Sequence, residues 1–157
     1  MRSKCCRVYG VILLVAAALA SWLVLTDQRR HDLRLQTIST LNKIYVGILG
    51  FETLRKQPIL ELINHTGEIR RVSINVRLAA FFEENGYFLA PKAKPSTSPY
   101  ILDAYGNPLV CLSREDAVRR RLPTPLVGRN RSIIIYSLGP NGKDDGGYGD
   151  DVYWEEP

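Results

Sequence analysis

The chain reads as an α+β protein, a long N-terminal helix followed by a small antiparallel sheet. Three observations predict this. An uncharged apolar run, Val11–Leu25, passes directly into a stretch with helical spacing. Two segments rich in β-branched and apolar residues, Leu109-Val110-Cys111-Leu112 and Ser132-Ile133-Ile134-Ile135-Tyr136, come only in the last third. Around them Gly, Pro, Asn and Asp cluster, which marks turns. Helical patterns first and strands afterwards give α+β ordering.

The first element begins in the apolar run. With Val8-Tyr9-Gly10 it reaches 18 uncharged residues, close to the roughly 20 needed to cross a hydrocarbon core. Tyr9 and Trp22 sit near its ends, where interfacial aromatics belong. The expected organisation is a basic tail over 1–10, a transmembrane helix over 11–25 and an extracytoplasmic domain over 26–157. Cleavage after Ala18-Leu19-Ala20, which fits the small-residue pattern of a signal peptide, is the alternative. Continuation of the run through Trp22-Leu23-Val24-Leu25 favours an uncleaved anchor. Arg2, Lys4 and Arg7 on one side nearly balance Arg29, Arg30 and Arg34 on the other. Short N-terminal tails tend to stay cytoplasmic, so the expected membrane orientation is single-pass with the N-terminus inside.

Beyond the run, Leu35, Ile38, Leu41, Ile44, Ile48, Phe51 and Leu54 recur in steps of three and four, which sets them on one helical face. Pro58 stops that helix. One helix from about Val11 to Lys56 is expected, half apolar and half amphipathic, with Asp27–Asp32 as the place for a break. Ile59–Asn64 suggests a short helical turn and His65-Thr66-Gly67 a turn. Ser73 is a candidate N-cap for a helix over Ile74–Glu84, with Gly86 past its end. Pro91–Pro99 reads as a loop. Arg114–Arg121 is a charged connection with helical character, and Val152-Tyr153-Trp154 is a candidate third strand.

At 157 residues there is room for one modest domain and an anchor. The net charge is +5, unevenly spread. Six arginines lie between 114 and 131, and the last fifteen residues hold six acids and one lysine. No aromatic interrupts the arginine run, so no base-stacking platform is suggested and no nucleic-acid partner is expected. Cys5, Cys6 and Cys111 make no disulfide framework, and Cys111 reads as a small buried residue on a strand. Catalysis is not expected. His31 and His65 are far from any partner at metal-ligand spacing, Ser137 lacks a Gly-x-Ser-x-Gly setting, and Gly146-Gly147-Tyr148-Gly149 lacks the Lys of a phosphate loop. Asn64-His65-Thr66 and Asn130-Arg131-Ser132 fit the glycosylation pattern.

The most informative stretch is the last quarter. Asp103-Ala104-Tyr105-Gly106-Asn107-Pro108 precedes a strand ending Ser137-Leu138-Gly139-Pro140-Asn141-Gly142. Lys143-Asp144-Asp145-Gly146-Gly147-Tyr148-Gly149-Asp150-Asp151-Val152-Tyr153-Trp154 follows. Asn and Asp oxygens recur at short intervals between glycines, as a calcium loop requires: a hard cation takes six to eight oxygens, about that many in a tightly folded loop. Order and spacing over Pro99–Trp154 resemble the C-terminal domain of type II secretion major pseudopilins, with Ala104, Tyr105 and Asn141 where that family usually has Pro, Trp and Asp. The resemblance implies a pilin-like fold and a calcium site within 138–151. Its ligands would be the carbonyls of Leu138 and Lys143 and the side chains of Asn141, Asp150 and Asp151, with Asp145 as an alternative donor. It also implies other pilin-like subunits or envelope secretion components as partners, beside membrane lipid through 11–25. Met1–Gly10 resembles a basic prepilin leader ending in Gly. Val11 and Val15 stand where the family usually places Phe first and Glu fifth in the mature chain.

Overall fold

In the computed structural model, α1 runs without a break from Arg2 to Arg55. The structure describes residues 2–64, 73–87, 99–123 and 132–153, with side chains from residue 14 onward apart from 62 and 64. The turn expected at His65–Gly67, the loop expected from Pro91 up to Pro99, Trp154, Arg129, Arg131 and the side chains of Cys5 and Cys6 lie outside the described residues, as do parts of both glycosylation patterns. After α1 come α2 (Ile59–Asn64), α3 (Ile74–Glu84), β1 (Val110–Ser113), α4 (Arg114–Arg119) and β2 (Ile133–Tyr136). The chain divides into two units, 1–33 and 34–157.

In the first unit Leu14, Val15, Leu19, Trp22, Leu23, Val24 and Leu25 are all exposed. The two hydroxyls among them turn back onto the helix: Ser21 donates to Ala17 O at 2.9 Å and Thr26 to Leu23 O at 2.8 Å. Their polar atoms are thereby satisfied within the helix. Among the described residues, no helix is long and apolar enough to cross a membrane. The expected span, 11–25, starts at positions whose side chains are not described.

In the second unit α1 supplies one wall of the core. Leu41, Ile44, Tyr45 and Ile48 pack with Ile59, Ile63, Leu78, Phe82, Leu109, Ile133, Ile135 and Val152. The expected face is correct at its centre and wrong at its ends. Ile38 and Phe51 are only partly buried, and Leu35 and Leu54 are exposed, while Tyr45 joins the core. An α-helix drifts past any strict three-four stripe, and Leu54 is one residue from the end of α1. Lys56 then adopts a positive φ of 53° ahead of Pro58. Glu52 secures the reversal, accepting from Ile59 N at 2.8 Å and Ser132 Oγ at 2.7 Å.

Ser73 caps α3 as expected, with an extended backbone and its oxygen toward Val76 N at 3.5 Å. Ser113 caps α4 in the same manner, at 3.1 Å from Asp116 N. β1 and β2 pair antiparallel, Val110 opposite Tyr136 and Ser113 opposite Ile133. Ile133 and Ile135 face the α1 core, whereas Ile134 and Tyr136 join a second cluster with Leu112, Ala117 and Leu122. Both faces of β2 are therefore covered, which is why its sequence is apolar throughout rather than alternating. The third strand expected at Val152 is reduced to a single bridge, Ser137 to Val152, with backbone bonds of 2.8 and 3.0 Å. The glycines before it turn the chain at positive φ, so only one residue arrives in register.

Candidate metal centre

The C-terminal loop is held at its base by a turn that the sequence marks only as structural. Asp103 Oδ1 accepts from Tyr105 N at 2.9 Å and Asn107 N at 2.8 Å. Its Oδ2 accepts from Ser137 Oγ at 2.6 Å. Ser137 Oγ in turn accepts from Gly139 N at 3.0 Å, and Asn107 Nδ2 donates to Gly139 O at 2.9 Å. Ala104 N donates to Thr37 Oγ1 at 3.2 Å, which ties the turn to α1. The end of β2 and the start of the loop are thus fixed by a part-buried network whose charge-assisted bonds all run to the Asp103 carboxylate.

Gly139 lets the loop close. Its φ is +62°, and a Cβ there would stand 2.1 Å from Asp150 O. No other residue permits both the left-handed backbone and that approach.

Above this closure three predicted ligand side chains converge. Asn141 Oδ1 accepts from Lys143 N at 2.6 Å, an Asx turn. That bond fixes the carboxamide, so Nδ2 faces outward and donates to Asp145 Oδ2 at 3.1 Å and to Asp150 Oδ1. Asn141 N also donates to Asp150 Oδ2 at 3.0 Å. The amide protons therefore sit where two carboxylates would otherwise repel. Lys143 enters through its N–H, and the Leu138 side chain packs against the second core cluster.

Asp151 takes no part in the Asn141 bridge and is buried. Its Oδ2 accepts from Gly147 N at 2.7 Å, while Oδ1 is buried with no hydrogen-bond partner among the described residues. Burial pushes this carboxyl up from the usual range, and the charges of Asp144 and Asp145 add to it. The backbone N–H groups of Gly147 and Asp145 partly offset the rise. Asp144, outside the predicted ligand set, holds the loop to the sheet: it accepts from Tyr136 OH at 2.8 Å, Gly146 N at 3.0 Å and Arg120 at 3.3 Å. Only its Asx pattern with Gly146 was visible in the sequence. Tyr136 is raised well above the ordinary phenol, first by burial and then by its bond to Asp144.

The donors fit a hard cation in kind. Carboxylates and an amide share a glycine loop, and one buried carboxylate oxygen lacks a partner. The geometry also shows a competitor, since the Asn141 amide already bridges Asp145 and Asp150. Among the described residues, no group of three or more His, Cys, Asp or Glu side chains is set to hold a metal ion. A cavity of about 520 Å³ opens beside Asp151, walled by Arg34, Ile38, Tyr148 and Tyr153.

No family model matches the chain, and no curated protein or solved structure does.

Proposed function

We propose that this chain is a single-pass, pseudopilin-like subunit or accessory of a type II secretion-like envelope assembly. It works through contacts with other pilin-like subunits or secretion components and performs no catalysis. The observation that carries this reading is α1. One uninterrupted helix joins the apolar run to the face that packs on the sheet, and that sheet leads into a glycine-rich loop of Asn and Asp donors. Residues 11–25 hold the chain in lipid, with the N-terminus cytoplasmic and the domain outside. Val15, in place of the family's Glu, favours a second reading: a membrane-anchored extracytoplasmic binding or scaffold module that does not join a filament.

Calcium would be held by Asn141, Asp145, Asp150 and Asp151 with the Leu138 and Lys143 carbonyls, and it would supply positive charge that neutralises the loop. Stabilisation then follows mass action, about 2.7 kcal/mol at a free concentration 100-fold above Kd. The full-length protein is expected to melt higher in calcium than in chelator, with magnesium a poor substitute. Asp151→Ala removes the shift, and Asn141→Asp enlarges it by adding a charge. Identical melting in calcium and chelator would remove the metal from the reading. Co-purification of pilin-like subunits with the tagged chain separates the filament reading from the scaffold reading.

A further inference from the structure

We infer that Asn141 is a self-modification site, where the chain converts its own amide clamp into a carboxylate. The inference does not depend on any cation.

Two Asn-Gly pairs occur among the described residues, Asn85-Gly86 and Asn141-Gly142. In such a pair the glycine nitrogen can attack the asparagine side chain, because no Cβ shields it. Local geometry separates the two. Asn85 turns back along α3, its Nδ2 donating to Phe81 O at 2.8 Å, and Gly86 N is held by Glu83 O at 3.1 Å. Asn141 turns forward. Its Asx bond from Lys143 N holds the carboxamide along the chain that follows it, on the side of Gly142 and Lys143. Gly142 N reaches Gly139 O at 3.4 Å, a long bond that holds the nitrogen weakly. Residues 140–145 are exposed, so water has access.

The Lys143 N–H has a second consequence. It donates to the oxygen that becomes negative when Cγ is attacked, as an oxyanion donor does. Gly142 N forms a bond to Asn141 Cγ, and the Cγ–Nδ2 bond breaks. Nδ2 leaves as ammonia with the proton that Gly142 N gave up. Water then opens the cyclic imide, leaving aspartate or isoaspartate at 141. The pair is imposed by the fold: Gly142 has φ +66°, and a Cβ there would lie 3.2 Å from Asn107 Oδ1.

The product removes both Nδ2 donors and sets a third carboxylate against Asp145 and Asp150. Like charges at that separation repel, so the loop loses its clamp and opens.

The test is incubation of full-length protein at mildly alkaline pH, with peptide mapping by mass spectrometry at both asparagines. Asn141 is expected to convert several-fold faster than Asn85 in the folded protein, and at a comparable rate in denaturant. Equal or reversed rates when folded would overturn the assignment, and so would an unchanged excess in denaturant. Asn141→Asp should raise amide hydrogen exchange over 141–150, as ageing does. Unaltered exchange in that variant would sink the clamp.

Discussion

Asp103 accepts two bonds from its own turn and one from Ser137, whose oxygen in turn receives Gly139 N. Asp103→Ala strands the buried Ser137 hydroxyl, at roughly 1–3 kcal/mol if left unsatisfied, and two part-buried backbone donors. A lowered denaturant midpoint with an unchanged m-value is the expected result. Cys111 behaves differently. Burial pushes its thiol up to about 12, so the folded protein holds that proton more tightly than the unfolded chain. Its contribution is complete below the unfolded value of 9.0 and is lost as pH rises toward 12. Cys111 is only partly covered, so at neutral pH a thiol reagent should label the native protein more slowly than the unfolded chain, and equal rates would contradict the raised thiol. The place of Cys111 on a strand was readable from its apolar neighbours, whereas its burial is only partial. The reach of Asp103 to Ser137 was not, since 34 residues separate them.

At the scale of elements, α1 and β2 meet through Tyr45. Its hydroxyl donates to Ile135 O at 3.0 Å and accepts from Ile135 N at 2.8 Å, satisfying both strand groups that face away from β1. Tyr45→Phe leaves them bare in the core and should cost about 1–3 kcal/mol or more. Ile48→Ala, on the same face, should cost roughly 2–5 kcal/mol. Thermal or chemical denaturation reads both, and wild-type stability in Ile48→Ala would show that this face is not core. Tyr87 meets the same helix. Its hydroxyl donates to Lys43 O at 2.8 Å, and its ring lies where a Cβ at Gly47 would be 2.8 Å away. Gly47→Ala should therefore force the ring off α1. Caps and stops were legible in the sequence, because Ser73, Gly86 and Pro58 act on their own neighbours. The use of Tyr45 and Gly47 was not, because each answers to a group that the fold delivers.

For the molecule as a whole, the apolar run predicts that the chain stays with membranes after carbonate extraction. Recovery of a soluble protein starting at Ser21 would replace the anchor with a cleaved signal. The sequence by itself determined the α+β order, the helix over Ile74–Glu84, the two strands and the glycine-rich acidic loop. Those follow from periodicity, propensity and turn chemistry, which act over a few residues. Tertiary structure decided the burial of both faces of β2. It also decided the division of the expected ligands into a convergent trio, Asn141, Asp145 and Asp150, and a buried Asp151 that takes no part in the Asn141 bridge. The physical reason is distance along the chain. Which donor meets which acceptor in that loop depends on Gly139 closing against Asp150 and on Asp103 holding Ser137, contacts made only once the sheet and α1 have packed.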